Sequence, residues 1–374
     1  MVSKARILVI DDEAGLLRVV ERLLEPEHEV AGLEHPHGAV DLAVAFRPDL
    51  AIIDIVMPDV NGYELMSQLK AAVPDVDVIL MTGAASEPDD ALLRALNDNA
   101  FYFIQKPFDR ETLRALVARC LERRALIEDN RAARRLRAEI DEARRLQNVL
   151  LPPATAQIEA VHLVCRYTPC SEVGGDFFDY AHAADGVAAF LVTDAAGHGL
   201  SAAMLTAVAK IAFHSSQVDG YNPETVVWRL HQNMRHFGPD KFITAFAGRI
   251  AMSERRIEYV NAGHQPALLW GRKWPPELLA TTGPMISPAI PEPQWLRRSL
   301  PIGEGDRLLV YTDGVAEPLA SETDPGGLER LNAIVARHHD GDARLLDALI
   351  EASAEAARGR AMLDDKTALA IRIR

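Results

Sequence analysis

A stretch without proline or glycine, from about residue 119 to 150, separates two parts of this 374-residue chain that differ in pattern. In the first part, short apolar runs alternate with amphipathic stretches. Four of these runs read as strands: Ile7 to Ile10, Leu50 to Ile53, Val78 to Met81 and Phe101 to Ile104. Alternating strands and helices are typical of a parallel sheet with helices on both faces. We therefore predict a doubly wound α/β domain for this part.

Beyond residue 155 the pattern changes to longer β-type segments, interrupted by two helical blocks. The predicted strands are His162 to Tyr167, Val187 to Thr193, Ala245 to Ile250, Ile257 to Asn261, Arg307 to Tyr311 and Thr367 to Ile373. Grouped strands and helices indicate an α+β layered sandwich. The Pro-rich stretch from Pro275 to Pro301 reads as irregular surface structure within that second domain.

The stretch between the two parts is rich in Arg, Glu and Ala and reads as one helix, which Pro152-Pro153 would end. Its candidate core positions, spaced by three and four from Ala133 with Gln147 as the polar member, are Leu126, Ala133, Leu136, Ile140, Ala143 and Leu150. That spacing fits a short dimerising coiled coil, and it equally fits a solvated connector. We predict domains at 1–122 and 153–374, joined by a helical linker at 123–152.

Net charge and cysteine content restrict the function classes. A formal charge of -14 opposes nucleic acid and anionic membrane as partners, and no basic helix-turn-helix segment suggests a DNA-binding regulator. The three cysteines have neither zinc-site nor disulfide spacing. The sequence shows neither a signal-peptide pattern at its start nor an apolar run of the roughly 20 residues that span a membrane. We expect a cytoplasmic location.

Acidic residues of the first part lie where predicted strands end. Asp11 and Asp12 follow the first strand, Asp54 ends the third, and Thr82 and Lys106 end the next two. Ligands of doubly wound sheets bind at this edge. Three carboxylates in one pocket call for a hard cation such as Mg²⁺, and a cation-neutralised Asp can accept a phosphoryl group. Acidic residues after strands can also simply cap helices, but a whole set favours the pocket.

Residues 4–122 resemble a two-component response-regulator receiver, a flavodoxin-like domain with a five-stranded parallel sheet. The resemblance rests on the acidic set together with Met57-Pro58-Asp59, Gly62 and Lys106-Pro107-Phe108. It implies a histidine kinase or phosphotransfer protein as phosphoryl donor. Asn99-Ala100 departs from the Gly-Ala that is common before the fifth strand, which affects nothing catalytic.

The receiver resemblance assigns roles to individual residues. Asp54 is the expected phospho-acceptor, and Asp11, Asp12 and the Ile55 carbonyl are expected to help it hold Mg²⁺. Thr82 and Lys106 would contact the phosphoryl oxygens. Phe103 takes the position of the aromatic residue that rotates when the threonine is engaged.

Four aspartates of the second part follow strands or begin turns: Asp176, Asp194, Asp313 and Asp364. Oxygen ligands without convincing His or Cys clusters favour Mg²⁺ or Mn²⁺. Two such ions sharing a carboxylate, about 3.5–4 Å apart, support hydrolysis of a phosphoester by water. Any single Asp-Gly here could be only a turn.

The order of motifs from about Leu146 to the end resembles the SpoIIE/RsbU branch of the type 2C-like (PPM-type) protein phosphatases, an αββα sandwich. The motifs are Leu146-Gln147, Leu150-Leu151-Pro152, Gly174-Gly175-Asp176, Asp194 to Gly199, Tyr259 to His264, Asp313-Gly314 and Asp364 to Thr367. The resemblance implies a serine/threonine phosphatase acting on a phosphorylated anti-sigma-factor antagonist or a similar regulatory protein.

The same resemblance implies the metal ligands. Asp194 bridges both ions, Asp313 and Asp364 complete one site, and Asp176 with the Ala195 carbonyl serves the other. Ala195 departs from the Gly common in the class, which puts affinity at the second ion in doubt although a backbone carbonyl tolerates a methyl group. His198 and His264 could contact substrate or metal-bound water, or only order their loops.

We therefore expect a response regulator in which phosphorylation of Asp54 controls a metal-dependent protein phosphatase through the linker. The alternative is a receiver-controlled adaptor that binds and sequesters a regulatory protein without dephosphorylating it. A missing metal carboxylate would favour the adaptor, and none of the four is missing.

Overall fold

The computed structural model describes residues 4–58, 60–83, 102–197, 199–271, 276–358 and 364–374. The chain divides into two compact units, Met1–Arg135 and Leu136–Arg374. The division falls inside one long helix, in the segment predicted as the linker. Within the described residues no helix has both the length and the apolar character that a transmembrane span requires.

The first unit contains a parallel five-stranded sheet. Its strands are β1 Arg6–Ile10, β2 Glu29–Leu33, β3 Leu50–Asp54, β4 Asp77–Thr82 and β5 Tyr102–Gln105. Their order across the sheet is β2-β1-β3-β4-β5. The two central strands β1 and β3 are almost entirely buried, which is why they read as continuous apolar runs. The doubly wound fold is confirmed. Strand β2 was not predicted because it is half-exposed and carries Glu29 and Gly32.

Helices α1 Ala14–Leu24, α2 Ala39–Phe46 and α3 Gly62–Ala72 pack on this sheet. Helix α3 begins where the Asn61 side chain accepts a hydrogen bond from the Tyr63 backbone N–H at 2.9 Å. On one sheet face the buried side chains of β1, β3 and β4 contact α2 and α3. On the other face they contact α1 and the start of the long helix.

The long helix α4 runs from Arg110 to Leu150. Leu113, Val117 and Cys120 are buried in the core of the first unit, whereas Leu126 and Leu136 are exposed. Near its end, Leu150 packs against the core of the second unit. Of the predicted core positions, Leu126, Ala133 and Leu136 are therefore exposed, whereas Leu150 contacts the core of the second unit.

The second unit contains two antiparallel sheets. Their strands are β6 Thr155–Ile158, β7 Val161–Thr168, β8 Phe177–His182, β9 Val187–Ala195, β10 Ile243–Ala251, β11 Arg256–Ala262, β12 Ala267–Trp270, β13 Glu277–Leu279, β14 Arg298–Pro301, β15 Arg307–Tyr311 and β16 Lys366–Ile373. The strand order is β14-β11-β10-β9-β8 in the first sheet and β13-β12-β15-β16-β7-β6 in the second.

Helices cover both outer faces of this pair of sheets. They are α5 Leu200–Ser215 and α6 Pro223–Met234 on the first sheet, and α7 Asp313–Ala316, α8 Leu328–His338 and α9 Asp342–Ala356 on the second. A third apolar cluster fills the space between the sheets, where Phe190, Phe246 and Tyr259 stack. The predicted αββα sandwich is confirmed.

The Pro-rich stretch at 275–301 is more regular than we predicted. Strand β13 pairs with β12, and β14 pairs with β11 through the register Tyr259↔Arg298. Both are edge strands, the position in a sheet where proline such as Pro301 is tolerated. The described residues between them form turns and isolated bridges, and Pro275 itself lies outside the described part of the chain.

Candidate functional site

The acidic residues of the first unit converge at the carboxyl edge of the parallel sheet. Asp11 and Asp12 follow β1, and Asp54 is the last residue of β3. One carboxylate oxygen from each lies within 4.8 Å of the others. Among the described residues this is the only set of three or more acidic, His or Cys side chains with such spacing. The adjacency of β1 and β3 in the sheet produces it.

Lys106 binds two of these carboxylates. Its Nζ lies 2.7 Å from Asp11 Oδ2 and 2.7 Å from Asp54 Oδ2. Burial raises the pKa of Asp11, which the hydrogen bond from Lys106 partly offsets. Burial lowers the pKa of Lys106, but its bonds to Asp11 and Asp54 outweigh this and raise the pKa overall. The ammonium group therefore neutralises part of the acidic pocket.

The other predicted receiver residues lie on neighbouring elements. Thr82 ends β4, and its hydroxyl donates to the Gly83 carbonyl at 3.3 Å. Phe103 is a half-buried residue of β5 that packs against the core. The Ile55 carbonyl accepts a hydrogen bond from the Gly62 N–H at 3.0 Å, so one of its lone pairs is engaged. Asp59, Asn99 and Ala100 lie outside the described residues.

Asp176 is a deeply buried carboxylate of the second unit. It precedes β8 and is 1% exposed. Its Oδ2 accepts hydrogen bonds from the hydroxyls of Thr312 and Thr367, each at 2.7 Å. Its Oδ1 is also buried and accepts no hydrogen bond from the described residues. Burial first, and the charge of Asp194 second, raise its pKa well above the usual value.

Asp194, Asp313 and Asp364 lie near each other at the same edge of the sandwich. Asp194 is in β9, Asp313 begins α7, and Asp364 precedes β16. Burial raises the pKa of Asp194 to about 8, and the charges of Asp313 and Asp364 contribute in the same direction. Burial and Glu317 raise the pKa of Asp313, whose buried Oδ1 has no hydrogen-bond partner among the described residues.

Asp365 contributes to this site, although only its neighbour Asp364 was predicted from the sequence. Its Oδ1 accepts from the Cys170 N–H at 2.7 Å, and its Oδ2 accepts from the N–H groups of Gly175 and Asp176. The side chain thus fixes the loop that carries Asp176. The paired Asp364-Asp365 in the sequence was the available signal, and the roles of the pair required the structure.

Ala195 and Gly175 approach each other closely through their backbones. A Cβ atom at Gly175 would lie 2.8 Å from the Ala195 carbonyl oxygen and 3.0 Å from the Ala202 Cβ. Glycine is therefore required at 175 for the two backbone segments to approach. The Ala195 methyl group is itself buried without conflict, so the alanine leaves its carbonyl close to the loop of Asp176.

His264 is 3% exposed and forms part of a buried hydrogen-bond network. Its Nδ1 lies 2.8 Å from the Thr244 hydroxyl, and its backbone N–H donates to Asn261 Oδ1 at 2.8 Å. Burial lowers its pKa to about 4, so the imidazole is neutral at neutral pH. These contacts favour the loop-ordering alternative. Lys241 forms an ion pair with Asp240, and His198 lies outside the described residues.

Both carboxylate clusters fit hard divalent cations. Every predicted side-chain ligand is a carboxylate, the type that Mg²⁺ and Mn²⁺ prefer. In the second unit, two buried carboxylate oxygens have no hydrogen-bond partner among the described residues, and three carboxylates have raised pKa values. Both features indicate a site that a positive charge would stabilise. These four aspartates are spaced more widely than the acidic set of the first unit.

The fold and these sites define a response-regulator receiver joined to a type 2C-like phosphatase domain. Residues 7–118 match the family model of the response regulator receiver domain. Residues 184–374, just over half of the chain, match the family model described as Stage II sporulation protein E (SpoIIE). The chain belongs to the SpoIIE family.

Individual relatives agree with this assignment. The chain is 32% identical over 189 residues to the phosphoserine phosphatase RsbP of Bacillus subtilis, covering 49% of this chain and 46% of RsbP. It is 23% identical over 206 residues to the phosphoserine phosphatase RsbU of the same organism, covering 54% and 60%. The chain thus spans about half the length of these curated relatives.

A solved structure supports the fold of the second unit. The SiaA-PP2C domain of Pseudomonas aeruginosa aligns with a TM-score of 0.57 at 22% identity, covering 65% of this chain and 99% of that domain. This likeness concerns the fold.

Proposed function

We propose that this chain is a metal-dependent protein serine/threonine phosphatase under the control of its receiver domain. The observation that carries the proposal is the buried Asp176, whose Oδ1 has no partner among the described residues and whose Oδ2 is held by two threonines. A carboxylate held this rigidly beside Asp194, with both pKa values raised, is arranged to bind cations.

In this proposal Asp194 would contribute to two Mn²⁺ or Mg²⁺ sites, with Asp313 and Asp364 in one of them and Asp176 and the Ala195 carbonyl in the other. Such a pair of ions supplies an activated water and offsets charge on a phosphoryl group. The chain's own contribution is to hold the ligands: Thr312 and Thr367 orient Asp176, and Asp365 fixes its loop.

The receiver acts as the control domain in this proposal. A histidine kinase or phosphotransfer protein donates a phosphoryl group to Asp54, and Asp11, Asp12 and the Ile55 carbonyl help to hold Mg²⁺. Lys106, already 2.7 Å from Asp54, would then bind phosphoryl oxygens. In the same proposal, Thr82 and Phe103 are the residues that change position when Asp54 is phosphorylated.

For the substrate we propose a protein carrying phosphoserine or phosphothreonine, and specifically an anti-sigma-factor antagonist or a similar regulatory protein. Two relatives, RsbP and RsbU, are phosphoserine phosphatases. The charge of -14 opposes a nucleic-acid or anionic-lipid partner. We propose a cytoplasmic location.

Release of phosphate from a phosphoserine protein in the presence of Mn²⁺ tests the catalytic proposal. We expect wild type to be active and Asp313→Asn to release phosphate at least about 100-fold more slowly. Loss of a metal ligand should reduce activity more than the 10–100-fold reduction that is typical when a residue only supports a ligand. Asp240→Asn, a change at an exposed carboxylate that is not among the proposed ligands, is the control. Full activity in Asp313→Asn would refute the assignment. Binding of substrate without turnover by wild type would favour the adaptor.

The control scheme has its own test. Beryllofluoride, which mimics the aspartyl phosphate, should change the rate of phosphate release by wild type and leave Asp54→Asn unaffected. Equal rates with and without beryllofluoride in wild type would refute control by the receiver while leaving the catalytic assignment intact.

A further inference from the structure

Gln147 is a buried polar residue on an otherwise half-exposed or exposed stretch of helix α4. It is 6% exposed, and no other described residue from 136 to 150 is classed as buried. Its Nε2 donates to the Gly174 carbonyl at 2.6 Å, and its Oε1 accepts from the Gly174 N–H at 3.1 Å. The side-chain amide therefore pairs with both polar groups of one residue. An amide is costly to bury without partners, and here both of its polar atoms have one.

The backbone that Gln147 holds leads directly to a proposed metal ligand. Gly174 is followed by Gly175 and Asp176, and Asp365 binds the N–H groups of those two residues. A Cβ at Gly174 would collide with the Tyr167 hydroxyl and the Asp365 carboxylate. Asp365 thus holds the backbone of Gly175 and Asp176. Gln147 holds the backbone of Gly174, the residue before them.

We propose that Gln147 is a positioning residue that couples helix α4 to the metal-binding loop. The Gln147 amide fixes the position of the Gly174 backbone. That position in turn fixes how closely the Asp176 carboxylate can approach its cation. The helix that carries Gln147 begins at Arg110 and is continuous to Leu150. A rotation or shift of this helix moves the Gly174 peptide, so the state of the helix determines the affinity for the ion that Asp176 binds. The statement about cation affinity rests on the proposed function.

The first experiment measures the loop itself and needs no metal. In wild type the Gly174 amide hydrogen is bonded to Gln147, so hydrogen exchange should be slow. Gln147→Ala should speed exchange of this amide at least about 10-fold, whereas the control Asn148→Ala, an exposed neighbour, should not. Unchanged exchange at Gly174 in a folded Gln147→Ala protein would overturn the proposal.

The second experiment measures Mn²⁺ binding by electron paramagnetic resonance of the free ion. We expect Gln147→Ala to raise one dissociation constant about 10-fold, in the range found for residues that support ligands. Gln147→Glu keeps the acceptor for the Gly174 N–H but loses the donor when ionised, so its shift should be smaller. At saturating Mn²⁺ the kcat of Gln147→Ala should recover most of the wild-type value. A general loss of folding would lower kcat without shifting the dissociation constant, which would contradict a positioning role.

Coupling is tested by repeating the Mn²⁺ titration with beryllofluoride. Beryllofluoride should shift the dissociation constant of the ion that Asp176 binds in wild type, and it should have no effect on that constant in Gln147→Ala. An undiminished shift in the variant, or no shift in wild type, would overturn the coupling. Failure of the proposed phosphatase function would appear instead as absent phosphate release, with the Gly174 exchange result unchanged.

Discussion

The carboxylates of the phosphatase domain combine burial with mutual repulsion. Asp194 has its pKa raised to about 8, and those of Asp176 and Asp313 are raised as well. In the metal-free protein the folded state therefore holds protons that the unfolded state has already released. Divalent cations bound at the proposed site would relieve this repulsion, so metal and proton would compete for the same oxygens.

Metal-free protein should accordingly lose stability as pH rises. A carboxyl whose folded pKa is raised stabilises the fold below its unfolded value, here 3.8, and this contribution is lost as pH rises toward about 8. One proton corresponds to about 1.4 kcal/mol per pH unit in the free energy of unfolding. Urea denaturation in EDTA between pH 5 and 8 should show a flatter slope for Asp194→Asn than for wild type. Asp240→Asn should keep the wild-type slope, and equal slopes in all three would contradict the assignment.

The two threonines that hold Asp176 give a second prediction at this scale. Thr312→Val and Thr367→Val keep the shape but remove a hydroxyl from Asp176 Oδ2. Each should raise a Mn²⁺ dissociation constant about 10-fold, because the carboxylate loses one of its two orienting bonds. Thr312→Ser retains the donor and should restore most of the affinity. An equal loss in Thr312→Ser would mean that the methyl group, and not the hydroxyl, matters.

At the scale of elements, helix α4 is the segment whose environment changes most along its length. Its first turns are buried in the receiver core, its middle exposes Leu126 and Leu136, and its end packs on the phosphatase core through Leu150. Of the heptad positions, Leu150 therefore packs within the chain, whereas Leu126 and Leu136 are exposed.

Truncation of a buried residue in the first turns tests the packing of α4 on the receiver sheet. Leu113 is fully buried, and Leu113→Ala should lower the free energy of opening by about 2–5 kcal/mol through lost apolar contact and a cavity. Native-state hydrogen exchange of the β4 amides reports this energy for the receiver by itself. Arg119→Ala, exposed on the same helix, should stay within about 0.5 kcal/mol of wild type. Unchanged exchange of the β4 amides in Leu113→Ala would show that α4 does not pack on the receiver sheet through Leu113.

At the scale of the whole molecule, the exposed leucines in the middle of α4 are relevant to dimerisation. Leu136 is 59% exposed and Leu126 is 57% exposed, at positions of the heptad pattern. We propose that two chains associate through this segment. Sedimentation of wild type should show a dimer, and Leu136→Glu should weaken it at least about 10-fold because a charge would be buried in the seam. Arg137→Ala is the control. A monomeric wild type would identify α4 as a solvated connector.

Much of the fold and of both sites could be predicted because the informative residues are local in sequence. The strands β1, β3 and β4 are buried on both faces and therefore read as apolar runs. Strands β2, β6 and β8 were missed because they are half-exposed, short or preceded by glycines. Edge strands such as β14 depend on a partner strand rather than on their own residues.

The amino-acid sequence by itself determined the two domain types and the carboxylates of each, because strand ends and motif order mark those positions without reference to distant residues. Only the tertiary structure brought Thr312 and Thr367, 136 and 191 positions away, onto Asp176, and Gln147 onto Gly174. Hydrogen bonds between such distant residues depend on how sheets and helices pack, which no local pattern encodes. The arrangement of the proposed metal ligands is therefore a property of the packed domain.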